Sequence, residues 1–313
     1  MSQFSGQGDE GLTPEEAFSL LGNETRFGIL QALWKELDPP NSAPVSYSEL
    51  MDRVGVRDSG NFNYHLGKLE GHFVTSTDDG YELLEAGLQV VRSVLAGTAV
   101  GDAKIEPTAV DFPCSVCYSE TTMLEYENEK VTLWCAECDG HYPAEEPSGK
   151  LADFAMPPAG LAARGPVELL EAGMTRVNLQ VQSMAAGVCP TCSCSPELQI
   201  RVGETGTPLE TFDDPGEAVG AERVMSNYIC PTCKLHWRFP TWVHVIWHPA
   251  IVSFYHQHGQ TVDVLSWELY TRGQEYDVSF TSVDPIRITV TVAENGDSRT
   301  LTLDESMDVI DVE

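Results

Sequence analysis

Basic residues are scarce in this chain. Its 313 positions carry 18 lysines and arginines against 48 aspartates and glutamates, for a formal net charge of −30, and only six of the bases are lysine. The basic patch that usually marks a nucleic-acid binder is therefore missing. Two settings account for such a balance. The chain avoids nucleic acid, or it works in strong salt, where repulsion is screened within about 3 Å at 1 M and a hydrated acidic surface keeps the protein dissolved. Acids spread along the whole length and the dearth of lysine suit the halophilic setting. There, counterion release adds little to DNA affinity, so a basic patch is less needed.

Long apolar runs are missing too. Nothing approaches the roughly 20 residues of a membrane-spanning helix. The opening MSQFSGQGDEG is polar rather than leader-like. Residues 1–12 are expected to be disordered, and the protein to be soluble and cytoplasmic without membrane contact. A glycine-rich phosphate loop, a GxSxG elbow and an HExxH helix are all absent, so no enzyme is expected. Cysteine is absent from the first 113 residues, and nine then follow.

Eight of the nine form Cys-x-x-Cys pairs, a regularity that favours metal over disulfides. Cys114/Cys117 and Cys135/Cys138 flank MLEYENEKVTLW, which alternates like two strands around a Glu-Asn-Glu-Lys turn. Cys189/Cys192 and Cys230/Cys233 flank the strand-like LQIRV and RVMSNYI. Two knuckles joined by a hairpin supply a tetrahedron of thiolates, the donor set that suits Zn²⁺, so two structural zinc sites are expected. Cys194 is a spare thiol competing with Cys192, and normal knuckle spacing favours Cys192. The insertion GETGTPLETFDDPGEAVGAE between the second pair of knuckles reads as a long exposed loop. LWCAECDGHY and YICPTCKLHW align, and each is followed by a Pro-led helix, a Gly break and a second helix, which points to a duplicated unit. His141 and His236 close those motifs. Four thiolates already saturate an ion, so both histidines are expected beside the metal rather than on it. The histidine-rich stretch 236–258 offers His244/His248 or His256/His258 as a metal pair, with polar flanking of an aromatic core the favoured reading. Trp237, Phe239, Trp242, Trp247, Phe254 and Tyr255 read as that core or as the lining of a small-molecule pocket, and ENGD at 294–297 as a hairpin turn in a three- or four-stranded meander.

The first hundred residues follow a different pattern. Thr13, Pro14 and Glu16 mark a helix start, and Gly22-Asn23 separates two short helices. Ser46 and Glu49 form a capping box for a third. GNFNYHLGKLEGHF places Phe62, Leu66, Leu69 and Phe73 on one stripe, FVTSTDDGYELL is a hairpin, and EAGLQVVRSVLAG is a closing helix. LLGNETRFGILQAL and SGNFNYHLGKLEGHFV, at this separation and followed by a hairpin, resemble the first-helix and recognition-helix signatures of ArsR-like winged helix-turn-helix regulators of haloarchaeal type. The resemblance implies a transcriptional regulator that binds double-stranded DNA as a homodimer, Asn63 and Tyr64 lying at reading positions. Arg57, Ser59, Asn61 and Lys68 complete the candidate DNA-contacting set, since Asn reads adenine edges and Arg, Lys, Ser and Tyr reach bases or phosphates. His65 is expected to be a half-buried packing residue. Leu88, Val91, Val94 and Leu95 either build a dimer seam or pack back on their own domain. The family's founding members sense soft metals through cysteines on these helices, and this stretch has none.

The expected fold is thus α+β: a winged helix at 13–100, zinc ribbon 1 plus helices at 101–186, and zinc ribbon 2 with a helix and a β meander at 187–313. The cysteine-rich region is expected to receive a small-molecule or protein effector. Two competing readings stand. A winged helix with a zinc ribbon also resembles the alpha subunit of archaeal transcription factor E, which has one ribbon. The other is an interaction or redox-sensing module without DNA binding.

Overall fold

In a computed structural model, the described residues are 12–39, 42–97, 103–142, 145–162, 164–203, 206–260 and 276–313. Most of the expected disordered N-terminus, and the second helix expected after Gly259, lie outside them. The described fold is mixed α+β, with seven α-helices and several antiparallel sheets. The chain divides into two compact units, Met1–Asp102 with Pro157–Ala159, and Ala103–Met156 with Gly160–Glu313.

The first unit opens with α1 (Pro14–Leu21) and α2 (Glu24–Lys35), followed by α3 (Tyr47–Val54) and α4 (Ser59–Leu69). A hairpin of β1 (Val74–Thr77) and β2 (Gly80–Leu83) precedes α5 (Glu85–Leu95). Each boundary has a local cause. Thr13 with Glu16, and Ser46 with Glu49, form reciprocal capping boxes. Asn23 Oδ1 accepts from Arg26 N at 3.1 Å, so the Gly22-Asn23 pair both ends α1 and starts α2. Asp58 Oδ1 accepts from the backbone of Gly60 and Asn61 and starts α4. Leu30, Leu50, Phe62, Leu66, Leu69 and Val91 are sealed from solvent in one core. Each such side chain contributes about 1.5–3 kcal/mol of burial. Val91 therefore packs back on its own unit, while Leu95 stays half exposed.

Among the described residues, the second unit holds three sheets. The first pairs β3 (Ile105–Asp111), β4 (Thr121–Glu127), β5 (Lys130–Trp134) and β6 (Lys150–Ala155) in that order. Asn128 and Glu129 both have positive φ, the geometry of a tight β4–β5 hairpin turn. The 20-residue α6 (Pro166–Ala185) follows, with Leu169, Leu170 and Met174 buried in the same cluster as Leu124, Leu133 and Phe154. The second sheet is built from β7 (Glu197–Val202), β8 (Thr207–Pro208), β9 (Val224–Ile229) and β10 (His236–Pro240), ordered β10-β9-β7-β8. After α7 (Pro249–Gln257) comes a meander of β11 (Asp277–Val283), β12 (Ile286–Glu294), β13 (Asp297–Leu303) and β14 (Val309–Val312). Its β12–β13 turn is the Asn295-Gly296 pair, both with positive φ.

The two cysteine-bearing sheets share an element order: knuckle, strand, strand, knuckle, edge strand, 3₁₀ turn, Pro-led helix. Two expectations are corrected. The described part of the insertion, residues 206–222, is not a free loop. β8 pairs with β7, two 3₁₀ turns follow, and Leu209 and Ala218 are buried. Gly220 N donates to Phe280 O, and Phe280 N to Ala221 O, tying the segment to the meander. Its apolar anchors are spaced among acids and glycines, so composition alone hides them. Likewise, the first of the paired helices expected near MPPAGL is only a 3₁₀ turn, Pro158–Leu161.

Candidate metal centres and nucleic-acid interface

Four thiols converge at each of two points in the second unit. The Sγ atoms of Cys114, Cys117, Cys135 and Cys138 lie within 4.8 Å of one another, as do those of Cys189, Cys192, Cys230 and Cys233. None of these cysteines is in a disulfide. A tetrahedral ion with metal–sulfur bonds near 2.3 Å has sulfur–sulfur edges of about 3.8 Å. The observed separations are 3.7 Å for Cys114–Cys138, 3.6 Å for Cys117–Cys135, 3.5 Å for Cys189–Cys233 and 3.4 Å for Cys192–Cys230. Both groups are therefore able to hold a metal ion, and the all-sulfur donor set suits a soft or borderline one. Cys194 stays outside its quartet, and its carbonyl accepts from Cys189 N at 2.9 Å.

The knuckles are built by backbone geometry. In three of them the first cysteine N–H bonds the carbonyl five residues on: Cys114 to Ser119, Cys189 to Cys194 and Cys230 to Leu235. The residue after the second cysteine takes a left-handed conformation: Tyr118 at φ 60°, Ser193 at 60° and Lys234 at 63°. That bend turns amides toward sulfur, as where Val116 N reaches Cys114 Sγ at 3.3 Å. The fourth knuckle differs. Cys135 N donates to Gly149 O at 2.9 Å, so the residue leading into β6 closes it from fourteen positions downstream. A Cβ on Gly149 would stand 1.9 Å from Cys135 O. Only glycine fits there.

The two motif histidines sit beside the quartets, not in them. His141 Nε2 lies 2.8 Å from Ser115 Oγ, inside the first knuckle, and burial holds its imidazole below the ordinary range, hence neutral. His236 bonds Asn227 Oδ1. Among the described residues no histidine of the 236–258 stretch joins a metal-competent group. His244 bonds Ser226 Oγ at 3.0 Å, and His248 caps α7 through Ala250 N.

In the first unit, α4 is pinned at its start by Tyr47, whose hydroxyl donates to Ser59 O at 3.0 Å and whose ring meets Phe62 edge-on at 5.2 Å. Phe62, Leu66 and Leu69 are buried. Arg57, Ser59, Asn61, Asn63, Tyr64 and Lys68 are all exposed. Tyr64 is 58% exposed, and Lys68 Nζ lies 5.9 Å from its ring centroid. His65 is half-buried, with Nδ1 unbonded among the described residues. Asp78 and Asp79 at the hairpin tip are exposed.

Sequence reasoning missed β3, β6 and β10 as elements. It also missed the polar array on β7, β9 and β10, where Asn227 Nδ2 and Arg201 Nε both donate to Gln199 Oε1. Its only trace in the sequence is a polar residue at every second position of β7 (Glu197, Gln199, Arg201) and at His236 and Arg238 of β10, with Asn227 alone at the matching positions of β9.

A family model described as a domain of unknown function (DUF7351) matches residues 111–309, and another, also described as a domain of unknown function (DUF7347), matches residues 14–94. No curated protein and no solved structure matches the chain.

Proposed function

The chain belongs to the DUF7351 family, whose model spans well over half of it, and from its own residues we propose that it is an ArsR-like, DNA-binding transcriptional regulator with two structural zinc ions. The observation that carries the reading is the division of α4. Its apolar side closes the core, while Asn63, Tyr64 and Lys68, with Arg57, Ser59 and Asn61 at its entrance, are left to solvent. Preceded by α3 and followed by the β1–β2 hairpin, α4 is read as the recognition helix of a winged helix and lies in the major groove of double-stranded DNA. The acidic hairpin tip stays off the phosphates. Phe18 and Leu95, 77% and 49% exposed on α1 and α5, support pairing of two copies through those helices.

The quartets are read as closed Zn²⁺ sites that fold the second unit, since four thiolates leave no open position for catalysis. This unit receives the regulatory signal. DNA fragments captured from the source genome in molar KCl test the DNA reading: enrichment of discrete sites, lost in the Asn63→Ala/Tyr64→Ala double variant, is expected. No enrichment removes it. Elemental analysis of reduced, folded protein tests the metal, with two zinc atoms per chain expected.

A further inference from the structure

The second unit contains a cavity of about 560 Å³, inside the usual size range of small-molecule sites. It runs along two edge strands. β6 ends one sheet and β10 ends the other, and consecutive residues of each, Leu151–Ala155 and Leu235–Phe239, line the space. Met174, Val177 and Val181 of α6, with Val243, add further apolar wall.

The polar groups on this wall are unequal. The carboxylates are already used: Asp153 takes Lys130 and Lys150 at 3.0 Å each, and Glu145 takes Lys150 at 2.7 Å. Arg238, by contrast, has no ion pair among the described residues, in a chain with an excess of thirty acids. The Tyr142 phenol is a second lining donor, close enough to Arg238 that the guanidinium offsets part of the burial that raises its pKa.

From this set we infer that the cavity binds a small organic carboxylate with an apolar body. Its carboxylate is taken by Arg238 and the Tyr142 hydroxyl, and its hydrocarbon or aromatic part lies against Phe154, Met174, Val177 and Phe239. A neutral molecule would leave the guanidinium unmatched, and a fully hydrated anion such as phosphate would leave the apolar wall bare.

Isothermal titration of the full, metal-loaded chain tests this with no DNA present, so the result is separate from the DNA reading. The probes are phenylacetate and octanoate, each beside its uncharged amide. Saturable binding of at least one acid is expected, with its amide at least tenfold weaker. Arg238→Gln, an exposed position, is expected to weaken the acid tenfold or more. Tyr142→Phe keeps the ring, removes the hydroxyl and is expected to weaken the acid severalfold. No binding by either acid up to 10-millimolar order, equal binding of acid and amide, or unchanged affinity in Arg238→Gln would each overturn the assignment. The acid–amide comparison uses only the unmodified protein, so it stands even if a variant fails to fold.

Discussion

Replacing Gly149 by alanine is expected to empty one metal site and spare the other. Gly149 has φ +81°, where a Cβ costs about 1–2 kcal/mol by itself. That part is common to any left-handed glycine. Gly187, φ +78° with open space around it, shows it alone. At Gly149 the added Cβ also stands 1.9 Å from Cys135 O and 2.7 Å from Cys138 O, where contacts under 3.0 Å essentially never occur. Relief requires the start of β6 to withdraw from the knuckle by roughly 1 Å. That movement breaks the 2.9 Å bond from Cys135 N to Gly149 O, worth about 0.5–1.5 kcal/mol. It also pulls two thiols out of a quartet whose sulfur–sulfur edges are only 3.6–3.7 Å. Overpacking of this kind adds about 1–3 kcal/mol more. Gly149→Ala should therefore cost about 3–6 kcal/mol against about 1–2 for Gly187→Ala. The assay is zinc content after graded chelator challenge, read beside urea unfolding. Gly149→Ala should fall from two zinc atoms toward one, whereas Gly187→Ala keeps two. Equal metal retention in both variants would refute the closure of the Cys135/Cys138 knuckle by the entry to β6.

Other outcomes follow from the same geometry. Asn63→Ala and Tyr64→Ala should each weaken operator binding by about 1–3 kcal/mol in competition assays while leaving the melting temperature unmoved, because both side chains are exposed. Leu66→Ala should do the reverse, costing about 2–5 kcal/mol of stability by calorimetry, because Leu66 is 1% exposed. Zinc removal should unfold the second unit and leave the first helical, since no cysteine precedes Cys114 and the first unit's core is its own; circular dichroism of chelated protein checks this. Burial lowers His244 to about 4, so the unfolded chain binds this proton more readily. The stability tied to the neutral ring is whole above about pH 6.5 and is lost as pH falls from there toward 4. His244→Gln should flatten that part of the acid denaturation curve.

The order of local elements was readable directly from residues. Thr13, Asn23, Ser46 and Asp58 each offer an oxygen to amides two or three positions on, a short-range interaction that needs no tertiary partner. The Phe62–Leu66–Leu69 stripe has the helical period, and the thiol pairs carry their spacing with them. These fix which side of α4 is apolar and which cysteines are eligible as ligands. Distant partners decided the rest. The order of the sheets rests on pairings such as Lys130 with Ala155 and Arg201 with Met225, between residues that no local rule connects. The replacement of a local carbonyl by Gly149 in one knuckle of four depends on where β6 arrives. The cavity lies between two sheet edges and one helix, so its unpaired Arg238 has no meaning until those three elements are in place. Only their packing sets an apolar wall beside the exposed Arg238, and it is that pairing of an unpaired cation with apolar surface that marks the cavity.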